Sequence, residues 1–173
     1  MITVISGTNR ENSVSSKIAG IYVQMLGNEG CEAHLIDLRD LPREIAFSET
    51  YGERTADYEQ IFLQAIAKTK KFIFVIPEYN GGFPGILKLF IDSIPPRLFH
   101  NKKAGLIGLS SGRGGAARAI DQMTNVLNYL QVDVIAQKPT LSLIEKALSS
   151  DGRIEEEEYT ELLQEHAKKM IRI

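Results

Sequence analysis

A parallel α/β fold, with helices on both faces of one sheet, is what this sequence predicts on three observations. Five short runs rich in β-branched and aromatic residues are spaced along the chain. Most are followed by a turn and then a helical pattern. Two of the runs, "FIFVI" and "AGLIGL", are apolar without alternation, as a strand covered on both faces must be. Joined by right-handed crossovers, five such β-α units make a three-layer sandwich whose ligands sit beyond the carboxyl ends of the strands.

The strand runs are Ile2 to Ser6, Glu32 to Asp37, Lys71 to Ile76, Lys102 to Ser110 and Val132 to Gln137. Helical patterns cover about 15–29, 57–69, 84–92, 115–130 and 155–172. In the last, Tyr159, Leu162, Leu163, Ala167, Met170 and Ile171 recur at helical spacing. The Glu155 to Glu158 run then falls at the positive end of the helix dipole. A chain of 173 residues suffices for one domain, 1–173, and shows no linker or repeat.

Composition narrows the partners. The 43% hydrophobic and 24% charged fractions are those of a soluble globule, and a formal charge of −2 gives no reason to expect nucleic acid or an anionic membrane. A single cysteine, Cys31, and an amino terminus that turns polar after five residues point to the cytoplasm. No metal site is expected, because His34, His100 and His166 have no ligand spacing.

Chemistry concentrates in the loops after strands one, three and four: "SGTNRENSVSS", "PEYNGGFPG" and "SSGRGGAA". The first is dense in hydroxyls and carries Arg10 at the entrance to a helix, where backbone N–H groups and a guanidinium would receive an anion such as phosphate. A helix cap by Ser13 or Ser15 accounts for only one of those hydroxyls. No lysine stands where a nucleotide triphosphatase loop needs one, and no acid ends the first strand as a phosphoacceptor receiver would require. The third loop, Pro77 to Gly85, is longer than a strand-to-helix connector needs.

The fourth loop holds two decoys. Gly108-Leu109-Ser110-Ser111-Gly112 fits the nucleophile elbow of serine hydrolases, but His166 lies on the apolar stripe of the last helix, away from Ser110. Gly112, Gly114 and Ala117 fit a dinucleotide fingerprint, but Asp133 begins its strand where the ribose-binding acid should end one. A glycine-rich turn that admits a close neighbour is the preferred reading.

With all three loops together, the sequence resembles the NAD(P)H-dependent FMN reductases of the flavodoxin-like class, a group that includes chromate, quinone and azo-dye reductases. "PEYNGGFPGILKLFID" follows the family pattern P-E-Y-N-x-x-x-P-G-x-L-K-x-x-I-D, and "SGTNRENS" follows G-[ST]-x-R-x-x-S through Gly7, Thr8, Arg10 and Ser13. The resemblance implies a five-stranded parallel sheet in the order 2-1-3-4-5. It implies that Thr8, Arg10, Ser13, Val14 and Ser15 hold the phosphate of FMN. Pro77, Glu78, Tyr79, Asn80 and Gly81 would line the isoalloxazine, with Ser110, Ser111, Gly112 and Arg113 on its other side.

The implied activity passes hydride from NADPH or NADH to FMN, then electrons to a quinone, free flavin, azo dye or metal ion. No side chain is implied as a catalytic acid. A homodimer or homotetramer is expected, with "IPPRLF" and the start of the helix from Arg113 to Arg118 as contacts. Family members usually carry tryptophan after "ID", where this chain has Ser93, and tend to carry an aromatic where it has Gly114, so the resemblance carries over the flavin site but not the shape of the nicotinamide and acceptor pocket or the substrate preference. The alternative is a flavodoxin-like electron carrier, although a charge of −2 does not suggest its acidic docking face.

Overall fold

The strand from Lys71 to Pro77 is apolar on both sides because helices cover both sides. The computed structural model describes residues 1–173 and makes this strand β3 (Lys71–Pro77). It pairs in parallel with β1 (Ile2–Ser6) on one side and β4 (Lys103–Leu109) on the other. β2 (Ala33–Asp37) lies beyond β1 and β5 (Asp133–Val134) beyond β4. The order β2-β1-β3-β4-β5 is the flavodoxin-like doubly wound arrangement, with its switch point between β1 and β3.

Alternate residues of the strands feed two cores. Phe72, Phe74 and Ile76 point into one, which is covered by α2 (Ala56–Tyr58), α3 (Gln64–Lys68), α4 (Gly85–Asp92) and α5 (Ala117–Tyr129). Ile73 and Val75 point into the other, under α1 (Val14–Asn28) and α6 (Glu157–Arg172). Each fully buried Ile, Leu or Phe contributes about 1.5–3 kcal/mol relative to exposure, so both layers are held by the same central strands.

Two elements depart from expectation. The run 57–69 forms one continuous helical path, but a π-helical turn at Glu59–Leu63 separates α2 from α3. The edge run from Val132 to Gln137 pairs only through Asp133 and Val134, and a further strand, β6 (Thr140–Leu141), takes over against Gly108 and Leu109 of β4. Between these pairings the edge advances six residues (134 to 140) while β4 advances four (104 to 108), so two residues are extruded. Pro139 lies in that interval and has no N–H for a ladder, though its carbonyl still accepts from Gly108 N–H at 2.8 Å. The helix expected from 115 starts at Ala117 because Gly115 and Ala116 are both left-handed.

His166 is wholly buried in the second core, and its Nδ1 lies 2.7 Å from Tyr22 Oη. A Cβ on Gly105 would come within 2.7 Å of the imidazole, so the missing side chain in mid-β4 is what admits the ring. Desolvation, with a smaller push from the Lys169 charge, lowers its pKa to about 4. An unfolded histidine takes its proton near 6.5, so the unfolded state protonates first on acidification. Stability is therefore intact above about pH 6.5 and declines towards pH 4, by a total of about 3 kcal/mol. Urea titrations across that range should show the decline, and His166→Asn, which cannot titrate, should flatten it. An equal decline in the variant would assign the acid sensitivity elsewhere.

Candidate functional site

The carboxyl ends of β1, β3 and β4 are where polar groups can first leave the two-sided core. Gly7 extends the β1 ladder by one bond, its N–H donating to Val75 O at 2.9 Å, and a Cβ there would lie 2.8 Å from that oxygen. Glycine is thus required for the first loop to leave the sheet so close to β3. Thr8 is buried, and its Oγ1 accepts from Arg10 N–H at 3.3 Å. Asn12 adopts the left-handed region that asparagine tolerates, which turns the chain into α1. Ser13 caps the helix, its Oγ accepting from Ser16 N–H at 3.1 Å.

One hydroxyl is thereby spent on capping. The amides at the start of α1 have no partner within the helix, and no acidic residue occupies its first turn. Arg10 is exposed and takes part in none of the ion pairs. The first turn is tied down from behind: Ser16 Oγ donates to Asp37 Oδ2 at 2.6 Å, and Arg39 Nη2 reaches the same oxygen at 2.8 Å. Burial alone raises the pKa of this carboxyl, but the hydrogen bonds from Arg39 and Ser16 and the Arg39 charge outweigh it and hold it below the ordinary value.

The β3 loop is a tight reversal. Glu78 N–H still bonds Leu109 O across to β4, and then Tyr79 and Gly82 exchange both backbone bonds, at 2.8 and 3.1 Å. The two central residues, Asn80 and Gly81, both have positive φ, the requirement of a type I′ turn and the reason for an Asn-Gly pair. Tyr79 Oη lies 3.1 Å from Thr8 Oγ1 and joins this loop to the first. Glu78 faces Arg118 of α5 across 3.7 Å through Oε1, while its buried Oε2 has no hydrogen-bond partner. Gln122 Nε2 donates to Gly81 O at 3.3 Å, so α5 backs the turn.

The loop after β4 is fastened to the segment beyond β6. Ser110 N–H donates to Leu141 O, Leu143 N–H to Gly112 O and Ile144 N–H to Ser110 O, at 3.0–3.2 Å. Ser110 Oγ donates to Gly112 O, and His166 is far from it, in the core under α1 and α6; no hydrolase triad exists. Gly108, near the end of β4, and Gly115, in the loop that follows, have no room for a Cβ against Gly115 O and Thr140 respectively, so both glycines serve close packing within the chain.

A groove of about 250 Å³ opens between the three loops. Of the residues singled out from sequence, Arg10, Ser13, Val14, Ser15, Pro77, Glu78, Tyr79, Ser110 and Ser111 line it. Thr8 does not line it but contacts the hydroxyl of Tyr79, which does; Asn80, Gly81, Gly112 and Arg113 belong to the same loops but do not line the groove. Four lining residues were not anticipated: Asn12, Leu109, Ile144 and Glu145. Asn12 belongs to the hydroxyl-rich first loop, whereas Ile144 and Glu145 lie beyond the split edge strand, where nothing in the local pattern marks them. Ser93, which stands where the family has tryptophan, is fully buried against Tyr58 and Phe90 O and does not line the groove.

The family model for NADPH-dependent FMN reductases matches residues 1–145. The chain belongs to that family. An NAD(P)H-dependent FMN reductase of Pseudomonas aeruginosa is 30% identical over 166 residues, which are 93% of this chain and 88% of that protein. A 2-hydroxy-1,4-benzoquinone reductase of a Burkholderia species is 27% identical over 169 residues, 94% of this chain and 90% of that one. Among solved structures, FerB, a flavoenzyme NAD(P)H:(acceptor) oxidoreductase from Paracoccus denitrificans, shares the fold with a TM-score of 0.74 at 24% identity, over 99% of this chain and 94% of its own. The matched family segment contains all three loops and ends at Glu145, inside the groove.

Proposed function

We propose that this chain works as a single domain that binds FMN, takes reducing equivalents from NADH or NADPH and delivers them to a small acceptor such as a quinone, free flavin, azo dye or metal ion. The observation that carries the reading is the convergence of a polar, arginine-bearing helix entrance with two further loops on one groove. Arg10, the hydroxyls of Ser13 and Ser15 and the free amides at Val14 and Ser15 form a donor set suited to a phosphate dianion. Thr8 positions this loop through Tyr79. The main chain of Pro77 to Gly81 offers N–H and C=O groups to the alternating polar edge of an isoalloxazine, and Ser110 to Arg113 flank it from the β4 side.

FMN, when bound, supplies the hydride acceptance and electron delivery that no amino-acid side chain provides. The residues of the chain bind and orient it, so none is assigned as a general acid. The groove opens to solvent between the three loops, so a cofactor held there would remain within reach of successive substrates.

Self-association and a cytoplasmic setting belong to the same proposal. A second groove, of about 430 Å³, runs along α4 and α5 past Ile91, Ile94, Pro96 and Val126, beside Tyr129, which is 88% exposed. This surface supports homodimer or homotetramer formation. No helix is long and apolar enough to cross a membrane.

Three measurements test the proposal. Replacing Arg10 with alanine should weaken FMN binding by about 1.5–3 kcal/mol, and unchanged affinity would remove the phosphate assignment. Rapid mixing of the FMN-loaded protein with NADPH should bleach the flavin absorbance at once; a flavin that stays yellow would make the chain a carrier. Light scattering should give a multiple of the 19.3 kDa chain mass, and a single-chain mass would end the oligomer proposal.

A further inference from the structure

Glu145 is one of two acids on a groove whose helix entrance is built to receive an anion; the other, Glu78, faces Arg118. It lies in a 3₁₀ turn, Ile144–Lys146, outside every motif of the sequence, yet lines the same groove as Arg10 and Ser110. Its carboxylate is exposed and has no ion pair. Its backbone is not free to drift: Leu143 N–H and Ile144 N–H bond the carbonyls of Gly112 and Ser110, and Ile144 is buried. Leu143, at the entrance to that turn, holds a φ of 47°, a conformation that costs a bulky residue energy.

A carboxylate only accepts hydrogen bonds. Of the parts of FMN, the phosphate repels it, and the ring presents mainly acceptors besides one imide N–H, which the carbonyls of the Pro77 to Gly81 loop can take. The secondary hydroxyls of the ribityl chain are the remaining donors. We infer that Glu145 accepts from those hydroxyls and makes the groove selective for a polyhydroxylated side chain, an inference that rests on the FMN reading above.

The test uses the full chain, FMN, and an FMN analogue whose phosphate is carried on a plain pentyl chain, with affinity read from quenching of flavin fluorescence. Glu145→Ala should weaken FMN by about tenfold and leave the analogue unchanged, and Glu145→Gln, which still accepts, should fall between. Equal loss on both ligands would mean a ring contact, and tightening of both would mean simple repulsion of the phosphate. Either result, or no change on FMN, overturns the inference. If the unaltered protein binds neither ligand, the FMN reading itself fails and takes this one with it; if it binds FMN and only the variants behave otherwise, the FMN reading stands alone. Because Glu145 is exposed, its replacement leaves the core intact.

Discussion

Burial of the central strands on both faces is the constraint from which the remaining features follow. With helices packed on each side of β1, β3 and β4, a polar or ligand-binding residue can be presented only where those strands stop. The parallel register puts the stops of β1 and β3 side by side, with Ser6 opposite Val75, and the Gly7 to Val75 bond closes the pair. A helix amino terminus and an Asn-Gly reversal are thereby brought to one rim. The same double burial accounts for His166, whose imidazole stays neutral in the core and takes no part in the groove.

How much of this could be read in the sequence depended on how local the signal was. "FIFVI" declares its own environment, because only a strand covered on both faces tolerates five apolar residues in a row. The course of the first loop is legible for a similar reason: Gly7, which must pass close to Val75 O, and Ser13, which caps α1, are near neighbours in sequence. The split of the edge strand was not, since "VDVIAQ" reads as a strand and only the register against β4 reveals the two extruded residues before Pro139 pairs. The place of Ser93 is equally hidden, because its position after "ID" says nothing of the face it turns to; it turns inward, to Tyr58.

The Asn-Gly pair shows the difference between recognising a motif and explaining it. Family resemblance marks Asn80 and Gly81 as ligand residues, whereas the backbone assigns them the positive φ angles that let Tyr79 and Gly82 pair. Either central residue replaced by a β-branched one would oppose the turn whatever the ligand does. The two roles are compatible, because a reversal pinned by two backbone bonds and backed by Gln122 presents Glu78 and Tyr79 at fixed positions on the groove. Rigidity of this kind lowers the entropy lost when a ligand binds.

Backbone strain is distributed in a way that supports the same division. Six non-glycine residues have positive φ, and four of them, Asn12, Asn80, Ala116 and Leu143, occur in the loops at the groove end of the sheet. Asparagine holds such angles at small cost, but Ala116 and Leu143 each oppose folding by roughly 1–2 kcal/mol. Such strain persists only where neighbouring bonds over-determine it, and the bonds from Leu143 to Gly112 and from Ile144 to Ser110 do so here. The remaining two, Asn101 and Gln131, lie at the opposite end and bond to each other directly, a purely structural use. Leu143 differs because it immediately precedes the turn that supplies Ile144 and Glu145 to the groove wall, so its strained angle is used in forming that wall.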